Sequence, residues 1–107
     1  MVINNSQRAF PAAELKQTMT GSWVLLGTLD FNPVIMIMDN LGTVEVEVSF
    51  DGGTTTWKTF SGGEALVLDF RANHGIASNF TLDKGISVYA NGASGDFSIS
   101  YLYAKEM

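Results

Sequence analysis

Cysteine is absent from this 107-residue sequence, and charged residues make up only 16% of it. The absence of cysteine excludes disulfides, cysteine-ligated zinc sites and thiol nucleophiles. A small domain without such cross-links depends on its hydrophobic core, or on neighbouring subunits, for its stability.

Basic residues are also scarce. Six lysines and arginines stand against eleven acids, which gives a net charge of −5, and no run of like charge occurs. The sequence therefore lacks both the basic patch of a nucleic-acid-binding protein and the basic amphipathic segment that binds anionic membranes. We predict that the protein binds neither nucleic acid nor membrane.

Long apolar runs are missing as well. The longest, Trp23–Gly27 and Pro33–Met38, are far shorter than the roughly 20 residues that a membrane-spanning helix needs. The first eight residues have no apolar segment of the signal-peptide type. We therefore expect a soluble protein that is made in the cytoplasm.

The apolar residues that are present often recur with a period of two. In residues 44–50, three valines alternate with Glu45, Glu47 and a serine, which is typical of a half-buried strand. The two glycines of residues 51–53 allow the positive φ angles of a tight turn. A second β-rich run, residues 54–60, follows and is expected to run back alongside the first, so this stretch predicts a β-hairpin.

Similar runs are spaced along the rest of the chain at intervals of roughly 8–12 residues. Further strands are predicted at residues 15–19, 22–29, 34–38, 64–70, 86–90 and 96–104, with a short extended piece at 80–82. The first is ambiguous, because Pro11 could instead open a single helical turn. Strand 34–38 is apolar on both faces, so we expect it in the middle of the core or beneath another subunit.

This pattern predicts an all-β protein: a single-domain antiparallel β-sandwich, jelly-roll-like, with seven to eight strands. A chain of 107 residues suits one domain. We assign residues 1–12 to an N-terminal arm and residues 13–107 to the sandwich, with a long loop at residues 71–79.

No group of side chains in the sequence predicts catalysis. His74 lies in the long loop without a serine or carboxylate close to it in sequence. Glu45 and Glu47 lie roughly 7 Å apart along one strand, but a solvated strand face explains such a pair more simply than glycoside hydrolysis does. Turn oxygens at residues 30–32, 39–40 and 51 lack the spacing of a calcium loop. We expect no enzymatic activity, no cofactor and no metal.

The central hairpin resembles the Asp-box of sialidases and other β-propellers. The likeness is carried by Ser49, Asp51, Gly53, Thr55 and Trp57, with one extra threonine before the tryptophan. In that motif the aspartate caps backbone amides and the tryptophan packs beneath the turn. A propeller needs the motif to repeat, and it occurs once here, so we interpret it as a local solution to a turn.

Several aromatic residues are candidates for a sugar-stacking platform of the kind found in carbohydrate-binding β-sandwiches. They are Trp23, Trp57, Tyr89, Tyr101 and Tyr103. The alternative is that they pack in the core or at an interface, where aromatic side chains contribute most of the burial energy.

A longer resemblance spans residues 22–104. It rests on an asparagine turn, a valine strand with a Ser-Phe-Asp-Gly turn, a hydrophobic strand ending in aspartate, a Lys-Gly strand and a final Gly-x-x-x-Ile-Ser-x-x-Tyr strand. These features are carried by Asp39-Asn40-Leu41, Val44 to Gly52, Leu66 to Phe70 with Asn73, Lys84 to Tyr89 and Gly95 to Ala104. In this order the chain is similar to small β-sandwich virion proteins of tailed bacteriophages.

The resemblance implies a structural role without catalytic residues: a capsid decoration (cement) protein, or a neck or tail component. Such a protein would be made in the host bacterial cytoplasm, reside in the virion, form a homo-oligomer (we expect a trimer) and bind the major capsid or a tail protein. Candidate contacts lie in the arm and the long loop, which the sandwich does not need. They are Val2, Ile3, Arg8, Phe10, Arg71, Asn73 and His74.

Overall fold

The computed structural model describes residues 12–70 and 82–103, which form eight β-strands. The strands are β1 (Ala12–Thr18), β2 (Val24–Thr28), β3 (Pro33–Asn40), β4 (Val46–Ser49), β5 (Lys58–Phe60), β6 (Ala65–Asp69), β7 (Ser87–Gly92) and β8 (Asp96–Tyr103). Across these two described ranges there is no helix of the length and apolarity that a membrane crossing requires.

The strands form two four-stranded sheets in which all neighbours are antiparallel. The first sheet has the order β1-β8-β3-β6 and the second has the order β2-β7-β4-β5. Two sheets with these orders make the eight-stranded jelly roll, a sandwich built from two Greek keys. The predicted all-β, jelly-roll-like sandwich is confirmed.

The hydrophobic core lies between the two sheets, because successive side chains of each strand point to opposite faces. The first sheet contributes Met36, Met38, Phe97, Ile99 and Tyr101, and the second contributes Val46, Val48, Phe60, Val88 and Ala90. The rings of Phe60 and Phe97 meet edge to face across the sandwich, with centroids 5.1 Å apart. Full burial of one such large apolar side chain stabilises the fold by about 1.5–3 kcal/mol.

The central hairpin has the predicted faces, but its strands are shorter than predicted, and residues 50–57 connect them where a tight turn at residues 51–53 was predicted. β4 and β5 pair antiparallel, with Val46 opposite Phe60 and Val48 opposite Lys58. Both valines are fully buried, whereas Glu45 is exposed. The alternation of valine and glutamate therefore gave the correct inner and outer faces.

Strand β3 lies in the middle of the first sheet, between β8 and β6. Met36 and Met38 point into the core and are fully buried, but Ile37 is 43% exposed on the outer face. The expectation that this strand lies in the middle of the core is thus wrong for one of its faces. The sequence also allowed a second subunit to cover this strand, and that prediction now applies to the outer face with Ile37.

At two places in the first sheet a strand extends beyond its predicted boundary. β1 already begins at Ala12, the last residue assigned to the arm, and Ala12 pairs with Leu102. The alternative of a helical turn is therefore wrong for this segment. β3 continues through Asn40, where a turn was predicted, because Asn40 pairs with Phe97. The predicted glycine bend is confirmed, since the register of β2 shifts between Leu25 and Gly27.

One end of the sandwich is closed by turns that approach each other very closely. A Cβ atom on Gly62 would lie 2.4 Å from the backbone of Thr43, and one on Gly95 would lie 2.8 Å from the Cα of Gly42. Real Cβ contacts are essentially never this short. Glycine is therefore required at this end for packing, and at Gly95 also for its φ of 87°.

Asn40 joins the turns at this closed end. Its side chain is 1% exposed, and its Nδ2 donates to the carbonyl oxygens of Val44 at 2.8 Å and Ser61 at 3.0 Å. Its Oδ1 accepts from the backbone N–H of Gly42 at 3.1 Å. One buried amide thus satisfies backbone groups from two separate turns.

The undescribed segments attach at the opposite end. Ala12 pairs with Leu102, Pro33 pairs with Tyr103, and the backbone N–H of Phe70 donates to the carbonyl of Val34. The chain therefore enters β1, leaves β8 and leaves β6 at the same end of the first sheet. The segments concerned are residues 1–11, 71–81 and 104–107.

Candidate interaction surface

The outer face of the first sheet has a polar half. It consists of β1 and the beginning of β8, where the outward side chains include Glu14, Lys16 and Asp96. Ser98 Oγ donates to Glu14 Oε2 at 3.0 Å, and Thr18 Oγ1 donates to Asp96 Oδ1 at 2.6 Å. These hydrogen bonds between neighbouring strands are ordinary for a solvated sheet surface.

The other half of this outer face is apolar, and we call it the apolar face. It is formed by Ile35, Ile37, Val67 and Leu102. The strand register places Ile35 beside Leu102 and Ile37 beside Val67. Ile37 is 43% and Val67 is 60% exposed. Exposed apolar side chains are common singly, but a contiguous group on neighbouring strands is typical of an interaction surface.

A groove runs over part of the apolar face, next to the end where the chain enters. It has a volume of about 180 Å³ and is lined by Ala12, Ile35, Ile37, Ser100, Tyr101 and Leu102. Pockets for small molecules usually measure about 300–1,000 Å³. The groove is therefore better suited to one or two apolar side chains of a polypeptide than to a cofactor.

Three acidic side chains lie at the edges of the apolar face. Asp69 lies opposite Ile35 in the ladder between β3 and β6, and Asp39 lies opposite Ala65. Glu14 lies one row from Ala12 on the outer face of β1. Among the described residues this border carries more acidic than basic side chains, the basic one on β1 being Lys16, and this balance favours a partner segment that carries positive charge.

The contact residues proposed from the sequence lie outside the described residues. They are Val2, Ile3, Arg8 and Phe10 in the arm and Arg71, Asn73 and His74 in the loop. The structure does show where the arm and the loop that carry these residues join the first sheet. Ala12, which follows the arm, lines the groove, and Phe70, which precedes the loop, follows the strand that carries Val67.

The apolar face was only partly predicted from the sequence. Residues 34–38 were recognised as apolar on both sides, but Val67 and Leu102 were not recognised as outward-facing residues. The outward position of Val67 could have been predicted, because Leu66, Val67 and Leu68 are consecutive apolar residues. A strand with such a run presents apolar side chains on both faces.

The loop between β4 and β5 has the hydrogen bonds expected for an Asp-box-like turn. Ser49 Oγ donates to Asp51 Oδ1 at 2.6 Å, and the same carboxylate oxygen accepts from the backbone N–H of Thr55 at 2.8 Å. Trp57 packs against Phe50 with ring centroids 5.2 Å apart. The interpretation of this motif as a structural turn agrees with these contacts.

These hydrogen bonds predict a pH dependence. The bonds from Ser49 and Thr55 hold the pKa of Asp51 below its ordinary value of 3.8. Because the folded state favours the ionised form, the resulting stabilisation is present above about pH 4 and is lost as the pH falls through the lower folded pKa. We expect Asp51→Asn to lower Tm at pH 7, and the difference from the parent to shrink below pH 3.8.

The check is a series of thermal melts of both proteins from pH 7 to pH 2. Asp83→Asn is a suitable control, because Asp83 is an exposed residue in the turn before β7. A Tm difference for Asp51→Asn that stays constant over the whole range would contradict this role of the carboxylate.

The five aromatic residues considered for sugar stacking are buried or half-buried. Tyr101 is 2% exposed, and its hydroxyl accepts from the backbone N–H of Asp30 at 3.2 Å. Tyr103 stacks on Phe31 with centroids 3.7 Å apart. A Cβ on Gly53 would lie 2.8 Å from the ring of Trp23. The described residues therefore bring together no exposed platform from these five side chains.

The two candidate catalytic acids, Glu45 and Glu47, differ in their surroundings. Glu45 is exposed, and Glu47 Oε1 accepts from Thr56 Oγ1 at 3.3 Å. Within residues 12–70 and 82–103, no group of three or more histidine or acidic side chains is arranged to hold a metal ion. The turn oxygen of Asn32 instead accepts from the backbone N–H of Lys84 at 2.7 Å.

Comparisons with known proteins do not identify a family. No protein-family model matches the sequence, and no curated protein is similar to it at a significant level. Among solved structures, one similar chain belongs to the Bacillus endospore appendages, described as a novel family of disulfide-linked pili. It is 17% identical, the match covers 91% of this chain and 88% of that chain, and the TM-score is 0.48.

Proposed function

We propose that this chain is a non-enzymatic structural protein that acts by assembling with copies of itself and with a larger scaffold. More specifically, the proposed role is that of a virion protein of a tailed bacteriophage: a capsid decoration protein, or else a neck or tail component. On this proposal the protein is made in the bacterial cytoplasm and functions in the virion, bound to the major capsid or a tail protein.

The observation that supports assembly is the apolar face. Ile37 and Val67 lie on neighbouring strands and remain substantially exposed, although the core beneath them is fully formed. Association that buries such a surface removes apolar area from water, at about 25 cal/mol per Å². Among residues 12–70 and 82–103, the packing of the sandwich leaves this surface as a driving force for self-association.

The virion assignment rests on the resemblance of the sequence to phage virion proteins. The jelly roll is compatible with it, since capsid proteins use this fold, but so do lectins and many other proteins. The gene is expected to lie among head or tail genes of a phage genome. A neighbourhood of unrelated genes would remove the support for a virion role without affecting the proposal of self-association.

Replacement of Ile37 by lysine tests self-association. The parent is expected to form a homo-oligomer, a trimer on our proposal, and Ile37→Lys to give a monomer of 11.6 kDa, because each buried copy of the lysine would lose its hydration. Light scattering at micromolar concentration measures both masses.

The matched control is Thr59→Lys, since Thr59 is exposed on the outer face of the second sheet. It adds the same charge to the opposite surface and should leave the mass of the parent unchanged. A parent that is monomeric at micromolar concentration, or an Ile37→Lys variant that still assembles, would count against the proposal. Binding to a glycan array would instead favour a carbohydrate-binding module.

A further inference from the structure

The groove on the apolar face has features that specify what occupies it. It is lined mainly by Ala12, Ile35, Ile37 and Leu102, so an apolar side chain fits it. Glu14 lies next to this lining on the outer face of the sheet, so a nearby positive charge on the occupant is favoured. The volume of about 180 Å³ limits the occupant to a short stretch of polypeptide.

Residues 1–11 of the same sequence match these requirements. They contain the apolar residues Val2, Ile3 and Phe10 and the basic residue Arg8, and they contain none of the eleven acids of the chain. Eleven residues in extended form span at most about 36–40 Å. This exceeds the width of a four-stranded sheet, about 15 Å at the usual spacing between strands, so the segment is long enough to cross such a sheet.

The point of attachment favours docking on another copy. Ala12 is both the first residue of β1 and part of the groove lining. Phe10 precedes a proline, and residues in that position prefer extended conformations. That preference disfavours the sharp reversal that docking of the segment on its own groove would require.

We propose that residues 1–11 of one copy dock in the groove of a neighbouring copy, with apolar side chains in the groove and Arg8 near the acidic border. This inference rests on the proposed function and names the partner segment of the apolar face. Each copy then gives one arm and receives one arm, which is a heterologous contact. Such contacts close into rings when the rotation between copies allows it and otherwise extend into filaments.

Two full-length variants test this contact by complementation. The arm variant carries Ile3→Asp and Arg8→Glu, and the groove variant carries Ile37→Lys. Each alone is expected to be a monomer of 11.6 kDa. An equimolar mixture is expected to give a complex of about twice that mass, because the arm of the groove variant can occupy the groove of the arm variant.

Thermal melts first establish that both variants are folded, and Asn5→Ala serves as a control substitution in the arm. An arm variant that assembles like the parent would overturn the inference while leaving self-association intact, since the apolar faces would then pack directly on each other. A mixture of folded variants that stays monomeric would also overturn it. If the parent protein is itself monomeric, the result contradicts both the docking of the arm and the proposed self-association.

Discussion

The Val46→Asp variant is expected to lose its cooperative thermal transition. Val46 is fully buried on β4, opposite Phe60 and Gly92. A Cβ on Gly92 would lie 2.8 Å from Cγ2 of Val46, so the valine side chain packs closely against the backbone of the neighbouring strand. Burying an unpaired carboxylate here should cost about 4 kcal/mol or more, against a total stability of about 5–15 kcal/mol for a domain.

The control for this variant lies one residue away. Glu45 is exposed, so Glu45→Gln should change the free energy of unfolding by no more than about 0.5 kcal/mol. Circular dichroism melts and urea titrations measure both effects. If Glu45→Gln were damaging and Val46→Asp were tolerated, the inner and outer faces of β4 would be the reverse of those described.

The second large effect is expected for Asn40→Ala. This change removes the donor that satisfies the carbonyls of Val44 and Ser61 and the acceptor that satisfies the N–H of Gly42. A buried backbone group left without a partner costs about 1–3 kcal/mol, and water entering the cavity would recover part of this. We expect a loss of about 3 kcal/mol in the free energy of unfolding.

A matched substitution is available on the neighbouring sheet. Asn91 is half-buried on the outer face of β7, opposite Glu47, so Asn91→Ala should cost less than about 1 kcal/mol. Urea denaturation of the two variants gives the comparison. Equal losses would mean that the hydrogen bonds of Asn40 contribute nothing beyond those of an ordinary surface asparagine.

The sheets could be predicted from the sequence because the pattern of side chains follows the two faces of each strand. Val46 and Val48 alternate with glutamates, and the structure buries the valines. The jelly-roll order of the strands was inferred only from the number and spacing of the strands. Pairing between β1 and β8, more than 80 residues apart in sequence for Ala12 and Leu102, has no local signal.

The boundaries of the strands were less predictable. Asp39 and Asn40 are residue types that favour turns, yet both extend β3, because β8 and the segment before β6 supply their hydrogen-bond partners. Tertiary pairing thus overrides local preference at this position. A buried asparagine is not distinguishable in sequence from one in an exposed turn.

The apolar face shows a similar limit. The run from Val34 to Met38 predicts a strand that is apolar on both faces. The sequence does not show whether the second face packs against the other sheet or lies on the outer surface of the sandwich. That depends on which strands flank β3. Only the three-dimensional arrangement shows that Ile37, Val67 and Leu102 lie together on the outer surface.

The meeting of Ala12 and Leu102 at one end of the sheet also has a mechanical consequence. β1 and β8 run antiparallel from this pair, so tension applied between Ala12 and Tyr103 acts across the ladder and separates its pairs one after another.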